Sequence, residues 1–212
     1  MFRHTTVFLA LGILPLLADA QIKALTDEGR EVILYNNGTW KFIDKDFKPA
    51  NEIKMNNVVF VKKSNQSFLV KSKLVDVGVH INPQEWSFNA ESNTSAKEYN
   101  FMTKDQSAFG FLITEKIEAE LSNLRQVALI NARKVAPDVH ETYADYRMVN
   151  GQKILCLKFE CTIQDIAFSY MGYYYAQNGG IAQLVVCTTQ KQLKQMESKI
   201  EEFLNGLVLI KK

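Results

Sequence analysis

Most of the chain alternates short apolar runs with polar turns, a pattern typical of β-strands rather than of long helices. In the larger part of the chain these runs begin after residue 57. They predict strands at Val58–Val61, Phe68–Val70, Leu74–Ile81, 86–89, 98–102 and Ala108–Thr114.

The apolar spacing then changes to three, four or seven positions, which is the period of one face of an α-helix. Thr114 is a suitable N-cap and Pro137 ends the pattern, so a helix is expected over 115–135. The residues that set this period are Ile117, Leu121, Leu124, Ala128 and Val135.

Further strands and a second helix complete the chain. The strands are expected at 140–149, 153–162, 166–176 and 181–188. Asn150-Gly151, between the first two of these strands, is typical of a type I′ hairpin turn. The helix is expected over 190–205, opened by a capping box between Thr189 and Gln192.

Two units and a linker are predicted. Residues 21–43 contain short apolar segments separated by Asp, Asn and Gly, which predicts a three-stranded β meander. Residues 44–57 are polar, include Pro49 and are expected to be a linker. Residues 58–212 form the main domain, whose two amphipathic helices must bury their apolar faces. An α+β fold is therefore expected, with both helices packed on an antiparallel sheet.

The N-terminal residues have the three parts of a secretory signal peptide. Arg3 and His4 precede an apolar stretch, Val7–Leu17, and residues 18–20 (Ala-Asp-Ala) give the small-x-small cleavage pattern. The apolar stretch is short for a membrane-spanning helix, which needs about 20 residues. The sequence therefore predicts export to the periplasm or the medium, cleavage after Ala20, and a mature chain that does not span the membrane.

Charge and cysteine content argue against several classes of protein, among them nucleic-acid-binding proteins and disulfide scaffolds. Lys and Arg number 25 against 23 Asp and Glu, a net charge of +2, which disfavours nucleic acid as a partner. Three cysteines are too few for a disulfide scaffold. Export leaves one disulfide open, between Cys187 and either Cys156 or Cys161. The sequence carries no recognised cofactor-binding or metal-binding motif, so neither group is expected.

Catalytic signatures are also missing from the sequence. It contains no GxSxG, SxxK or HExxH motif, and each cysteine lies in a predicted strand. His140 with Asp138 or Glu141 is the candidate group for a hydrolase or a metal site, but neighbouring residues of a strand point to opposite faces. A non-catalytic protein is therefore favoured, and an exported hydrolase-like enzyme is the alternative.

Aromatic residues supply the candidate partner-binding positions. One predicted strand is rich in tyrosine over Tyr170–Tyr175, which suggests either an aromatic surface for a partner or a central strand covered on both sides. Other aromatic residues lie in the small N-terminal unit and beside the polar loop 90–97. The candidate positions are Trp40, Trp86, Tyr99, Tyr173 and Tyr175.

Several stretches of the main domain resemble one known fold. They are Asn82–Trp86, Ile113–Ile117, Val149–Gly151, Gly172–Tyr175, Ala182–Val185 and Phe203–Leu207. The part that contains them, about two thirds of the chain, resembles the Mog1/PsbP-like α/β/α sandwich and, more narrowly, exported bacterial proteins of uncharacterised role with that fold. The unit around Gly38-Thr39-Trp40 resembles a short β module near the N-termini of other exported bacterial proteins. The resemblance carries no catalytic signature and implies, by analogy, a binding or assembly role.

The favoured hypothesis is thus an exported binding or assembly module whose partner is another envelope or secreted protein. A further alternative is a small-ligand carrier. Its pocket would lie between the sheet and the helix expected at 115–135, and a sizeable apolar cavity there would support it.

Overall fold

The computed structural model describes residues 22–26, 30–36, 38–43, 52–90, 97–177 and 179–210. The chain divides into two compact units, residues 1–49 and 50–212. The predicted signal peptide lies outside the described residues. Among the described residues, no helix is long and apolar enough to cross a membrane.

The first unit holds the predicted meander as a three-stranded antiparallel sheet in the order β1-β2-β3. Its strands are β1 (Ile22–Leu25), β2 (Glu31–Leu34) and β3 (Trp40–Phe42). Gly38, in the turn before β3, has a φ of +79°, a conformation that side chains disfavour. The Trp40 ring packs edge-on against Phe42, with 4.7 Å between the ring centroids.

The second unit is mostly β-structure with two helices. Its first strands are β4 (Met55–Phe60), β5 (Phe68–Lys71), β6 (Val77–Ile81), β7 (Trp86–Ala90), β8 (Lys97–Thr103) and β9 (Phe109–Glu115). Helix α1 (Leu121–Arg133) follows. The later strands are β10 (His140–Val149), β11 (Gln152–Ile163), β12 (Ile166–Gln177) and β13 (Gly180–Thr189). Helix α2 (Gln190–Leu204) and the short strand β14 (Leu207–Leu209) end the described chain.

An eight-stranded mixed sheet forms the centre of this unit, in the order β4-β10-β11-β12-β13-β9-β8-β7. Its neighbouring strands are antiparallel except β4 and β10, which run parallel. The expected antiparallel pairing therefore describes all of the sheet except its edge, where β4 runs parallel to β10. A separate three-stranded sheet has the order β14-β6-β5.

The large sheet has a core on each face. Alternate residues of β11 face opposite ways, so Leu155 and Leu157 join the core beneath α1, whereas Ile154 and Cys156 join the core beneath α2. Helix α1 packs on β11 and β12. Helix α2 packs on β12, β13 and the small sheet. The predicted α/β/α layering is therefore confirmed.

The start of α1 differs from the expectation. The predicted N-cap, Thr114, lies within β9, where it is 3% exposed and its hydroxyl donates to the Glu98 carboxylate at 2.6 Å. The sheet pairing of β9 extends to Glu115, which pairs with Ile181, and the helix begins only at Leu121. Strand pairing thus takes the predicted N-cap and the first residue of the predicted helix, and residues 116–120 connect the strand to the helix.

The turn signals were more reliable. Asn150 and Gly151 have φ values of +49° and +81°, as a type I′ turn requires, and they join β10 to β11.

At the start of α2, the Thr189 hydroxyl donates to the Gln192 side-chain oxygen at 2.9 Å. The two predicted capping-box residues therefore bond each other instead of the backbone amides of the helix.

Candidate binding site

A groove of about 450 Å³ lies between α1 and the large sheet. Its floor consists of aromatic and aliphatic side chains from β9, β11, β12 and β13, among them Phe111, Phe159, Tyr170, Tyr174 and Val185. Its roof consists of small residues at the C-terminal half of α1 and just beyond it, which include Ala128, Ala132, Val135, Ala136 and Val139. The groove is thus an apolar cavity at the place where a carrier would hold its ligand.

The composition of α1 explains why the space is open. Ala128 and Ala132 stand one turn apart on the helix face that lines the groove, and Ala136 follows in the next turn of chain. A methyl side chain fills little of the space between a helix and a sheet, so this row of alanines leaves room above the floor. The main sheet contacts of α1 are with β11 and β12, whereas the floor of the groove also includes residues of β9 and β13.

Strand register orders the floor into rows. Lys97 pairs with Ile113, Ile113 pairs with Gln183, and Gln183 pairs with Tyr174, which places these side chains in one row across the sheet. The next row towards the far end of the groove contains Phe111, Val185 and Gly172. Polar side chains therefore lie at one end of the floor and apolar ones follow.

Two tyrosines shape the middle of the floor. The Tyr170 ring stacks on Phe159 with 4.8 Å between centroids and 6° between planes. The Tyr174 side chain is 2% exposed and its ring lies over Gly172. Burial raises the pKa of both phenols, so they remain neutral near pH 7 and add rigid, mainly apolar surface.

The polar lining is limited to a few side chains. Lys97 Nζ lies 4.8 Å from the centroid of the Phe111 ring, and Glu115, Asn131 and Gln183 also line the groove. Cys161 lies on the floor with its thiol pKa raised, chiefly by burial. The groove can therefore hold an apolar molecule and offers hydrogen-bonding groups at selected points.

Four of the five aromatic candidates from the sequence lie in the interior. Trp86 is 2% exposed and stacks on Phe203 at 4.1 Å, and the Tyr99 hydroxyl donates to the Lys71 carbonyl at 2.9 Å. Tyr173 and Tyr175 are buried as well. Their packing corrects the interpretation of these residues as a partner-facing surface, and supports the alternative of a tyrosine-rich central strand covered on both faces.

Trp40 differs from the other four candidates. It is 54% exposed on the first unit. A partner-binding role for Trp40 remains a prediction.

A buried charged network was missed at the sequence level. The Arg147 guanidinium donates to both oxygens of Asp145 at 2.8 Å and to Tyr173 Oη at 3.0 Å. Asn56 of β4 donates to the same Asp145 carboxylate at 2.9 Å, and the Phe60 ring lies 4.4 Å from the guanidinium. Because Asp145 and Arg147 share one face of β10, their spacing in the sequence was the available signal. The network ties the parallel edge strand β4 to the sheet.

The hydrolase candidate is not assembled. His140 is largely exposed with Nε2 3.6 Å from Glu160, whereas the Glu141 carboxylate is bound by Arg125 of α1 at 2.5 and 2.6 Å. Asp138 accepts a hydrogen bond from the Thr162 amide. Within the described ranges, no group of three or more His, Cys, Asp or Glu is placed to hold a metal ion.

Comparison with solved structures identifies the fold. CyanoP, the cyanobacterial PsbP of Synechocystis, matches with a TM-score of 0.55 at 9% identity, over 67% of this chain and 91% of that one. The chain has a Mog1/PsbP-like fold. LpqN, a Mycobacterium tuberculosis protein involved in cell envelope biogenesis, gives a TM-score of 0.47 at 10% identity, over 64% of this chain and 83% of that one.

A Pseudomonas aeruginosa protein of unknown function, PA94, gives a TM-score of 0.45 at 12% identity, over 68% of this chain and 98% of that one. No protein-family model matches the chain, and no curated protein matches its sequence. At these identities the likeness concerns the fold, and function has to be argued from the groove itself.

Proposed function

We propose that this protein is an exported, non-catalytic binding module whose ligand site is the groove between α1 and the large sheet. The observation that carries the proposal is the apolar cavity of about 450 Å³ in this place. Small-molecule sites are concave, mostly apolar and about 300–1,000 Å³ in volume, with a few polar groups that fix orientation. The groove meets each of these criteria.

The chemistry of the lining supports binding over catalysis. Lys97 and Glu115 are ionisable side chains at one end of the groove. Three further groups, the Cys161 thiol and the phenols of Tyr170 and Tyr174, lie in the floor and could act as nucleophiles or acids. Burial raises the pKa of all three, which keeps them protonated near pH 7. A thiol or phenol held in this state adds packing surface to the cavity and is a poor nucleophile.

The groove is tested by titrating the mature chain with the uncharged apolar dye N-phenyl-1-naphthylamine and following its fluorescence. Three chains are compared: the natural sequence, Ala132→Phe, which fills the groove, and Ser122→Phe, which adds the same ring at an exposed position of α1. We expect one dye site in the natural chain, at least a tenfold loss in Ala132→Phe, and no change in Ser122→Phe.

Thermal melting of all three chains accompanies the titration. Equal dye affinity in the natural chain and a folded Ala132→Phe variant would contradict the proposal. If Ala132→Phe does not fold, Ala132→Leu replaces it as a smaller filling substitution, with the same expected direction. An absence of dye binding by the natural chain would also contradict the proposal.

Export is the second part of the proposal and rests on the N-terminal sequence. The full chain is produced in a Gram-negative host, and the mass of the product is measured in the periplasm and the medium. We expect a chain that begins at Gln21, and we expect Leu11→Arg, which places a charge in the apolar stretch, to keep the chain in the cytoplasm with residues 1–20 attached. An uncleaved cytoplasmic product from the natural sequence would contradict this part alone.

A further inference from the structure

We infer that the ligand is a single-chain amphiphile whose headgroup is uncharged and carries hydroxyl groups, an inference that rests on the proposed function of the groove. Its headgroup would lie at the row of Lys97 and Gln183, and its chain would run along the floor towards Cys161. The inference depends on three observations: the length of the groove, its one-sided polarity and the balance of charge in its lining.

The length follows from strand register. Gln183 pairs with Tyr174 on β12, whereas Cys161 pairs with Phe168, six residues away along the same strand. Six strand residues span about 20 Å. Both Gln183 and Cys161 line one groove of about 450 Å³, so the cavity extends over about this distance along the strands. An extended hydrocarbon chain with a polar head at one end can occupy that length.

The polarity is one-sided. Lys97 and Gln183 lie in the row of Ile113 at one end of the groove. Glu115, two residues further along β9, lies at the same end. The opposite end is lined by Phe159, Cys161, Ile163 and Val139, which are apolar or weakly polar. Burying alkyl carbons against this end is favourable because it removes apolar surface from water. The ligand therefore has a polar head and an apolar tail.

The charge in the lining selects the headgroup. The polar end of the groove carries one ammonium, Lys97, and one carboxylate, Glu115, together with the amide of Gln183. An anionic head attracted by Lys97 would be repelled by Glu115, and the reverse holds for a cationic head. A hydroxyl group both donates and accepts, so it can donate to the carboxylate or to an amide oxygen and accept from the ammonium or an amide nitrogen. An uncharged hydroxyl-bearing head is complementary to this set.

The test is competition against bound N-phenyl-1-naphthylamine by three compounds with the same twelve-carbon chain, each kept below its micelle concentration. They are 1-monolauroylglycerol, sodium laurate and dodecyltrimethylammonium. We expect the uncharged glycerol ester to displace the dye at a concentration at least tenfold lower than either charged compound. Equal displacement by all three, or stronger displacement by a charged one, would overturn the headgroup inference and leave the proposed groove intact.

Two substitutions give readouts that a merely structural role would not change. Gln183→Leu should weaken binding of the glycerol ester by about threefold to tenfold relative to any change in dye affinity measured for the same variant, because the ester loses one hydrogen bond. Glu115→Gln should strengthen the binding of laurate, because the carboxylate that repels it is gone. Ser122→Phe, at an exposed position of α1, is the control and should leave all three affinities unchanged. If the natural chain does not bind the dye, the proposed function itself is contradicted. Retained dye binding with no displacement by any twelve-carbon compound would overturn the amphiphile inference alone.

Discussion

The ring of Tyr174 lies across Gly172 on the α1 side of β12, so close that a methyl group at Gly172 would stand 2.8 Å from Tyr174 Cε2 and 3.0 Å from Tyr174 Oη. Gly172 itself lies in register between Leu157 and Val185. The missing side chain thus makes room for the tyrosine ring that forms the middle of the groove floor.

Replacing Gly172 with Ala should therefore both destabilise the protein and reshape the groove. Overpacking of this kind costs about 1–3 kcal/mol, since the ring has to leave its rotamer or the strand has to shift. Urea unfolding measures the cost. In a Tyr174→Leu background the same Gly172→Ala substitution should cost less, because the atoms that it meets are gone. Equal costs in the two backgrounds would show that the contact is not the cause.

The buried ion pair should matter more for stability than the exposed ones. Arg147 and Asp145 have side chains 3% and 5% exposed. Substituting Arg147→Met leaves a buried carboxylate without its cation, which costs about 3–5 kcal/mol. The control is Lys158→Met, which breaks a pair with Glu197 whose side chain is 53% exposed, and it should cost less than about 1 kcal/mol. Similar losses in the two variants, measured by urea unfolding, would contradict this ranking.

The same network predicts a dependence of stability on acid pH. Burial raises the pKa of Asp145, but hydrogen bonds from Arg147, Asn56 and Tyr143 lower it by more, so the pKa lies below its ordinary value. A carboxyl with a lowered folded-state pKa stabilises the protein above its unfolded pKa of about 3.9, and this contribution is lost as the pH falls through the folded value. The free energy of unfolding should therefore fall below about pH 4.

The variant Asp145→Asn isolates this contribution. Other carboxyls have lowered pKa values, such as Glu202 beside Lys63 and Asp105 (pKa about 2) beside Ser107. They also make the free energy of unfolding fall as the pH is lowered. The comparison is therefore between the natural chain and Asp145→Asn from pH 7 to pH 2.5. The variant should be less stable at pH 7 and should lose less stability on acidification. If the free energy of unfolding falls equally with pH in the two chains, Asp145 does not contribute to the acid dependence.

Local patterns in the sequence were sufficient for most elements of the fold. The Asn150-Gly151 turn was predictable because only a few residues tolerate two successive positive φ values. The four long strands β10–β13 followed from their length and their turns. The start of α1 was not predictable in this way, since Thr114 carries a good capping side chain but is paired in β9. Tertiary pairing overrode the local signal there.

The candidate site, too, was only partly predictable from local patterns in the sequence. The sequence indicated a pocket under the first helix only as a hypothesis, because cavity volume depends on which side chains of two distant segments face each other. Ala132 on α1 and Phe111 on β9 line one space, although no pattern in the sequence pairs them. Likewise, the sequence left open whether Tyr173 and Tyr175 form a partner surface or a covered strand, because alternation assigns residues to faces but does not show which faces are covered.

The three cysteines give the last prediction, which decides between the disulfide options left open by the sequence. All three are free thiols in the structure. Cys156 lies in the core beneath α2, whereas Cys161 lies in the core beneath α1, so the sheet separates them. Cys187 pairs in register with Tyr170 of β12, the strand that stands between it and β11. Two strand spacings are about 9.5 Å, beyond the Cα separation of about 7 Å that a disulfide tolerates.

We therefore expect three alkylated thiols when the purified chain is unfolded in urea with iodoacetamide and no reductant, and the same three after prior reduction. In the native chain at pH 8, alkylation should be slow, because burial raises the pKa of Cys156 to about 12 and of Cys187 to about 11 and leaves little thiolate. Intact-mass measurement counts the adducts. A single adduct before reduction and three afterwards would mean that two of these strands rearrange to form a disulfide, and would contradict the separation set by β12.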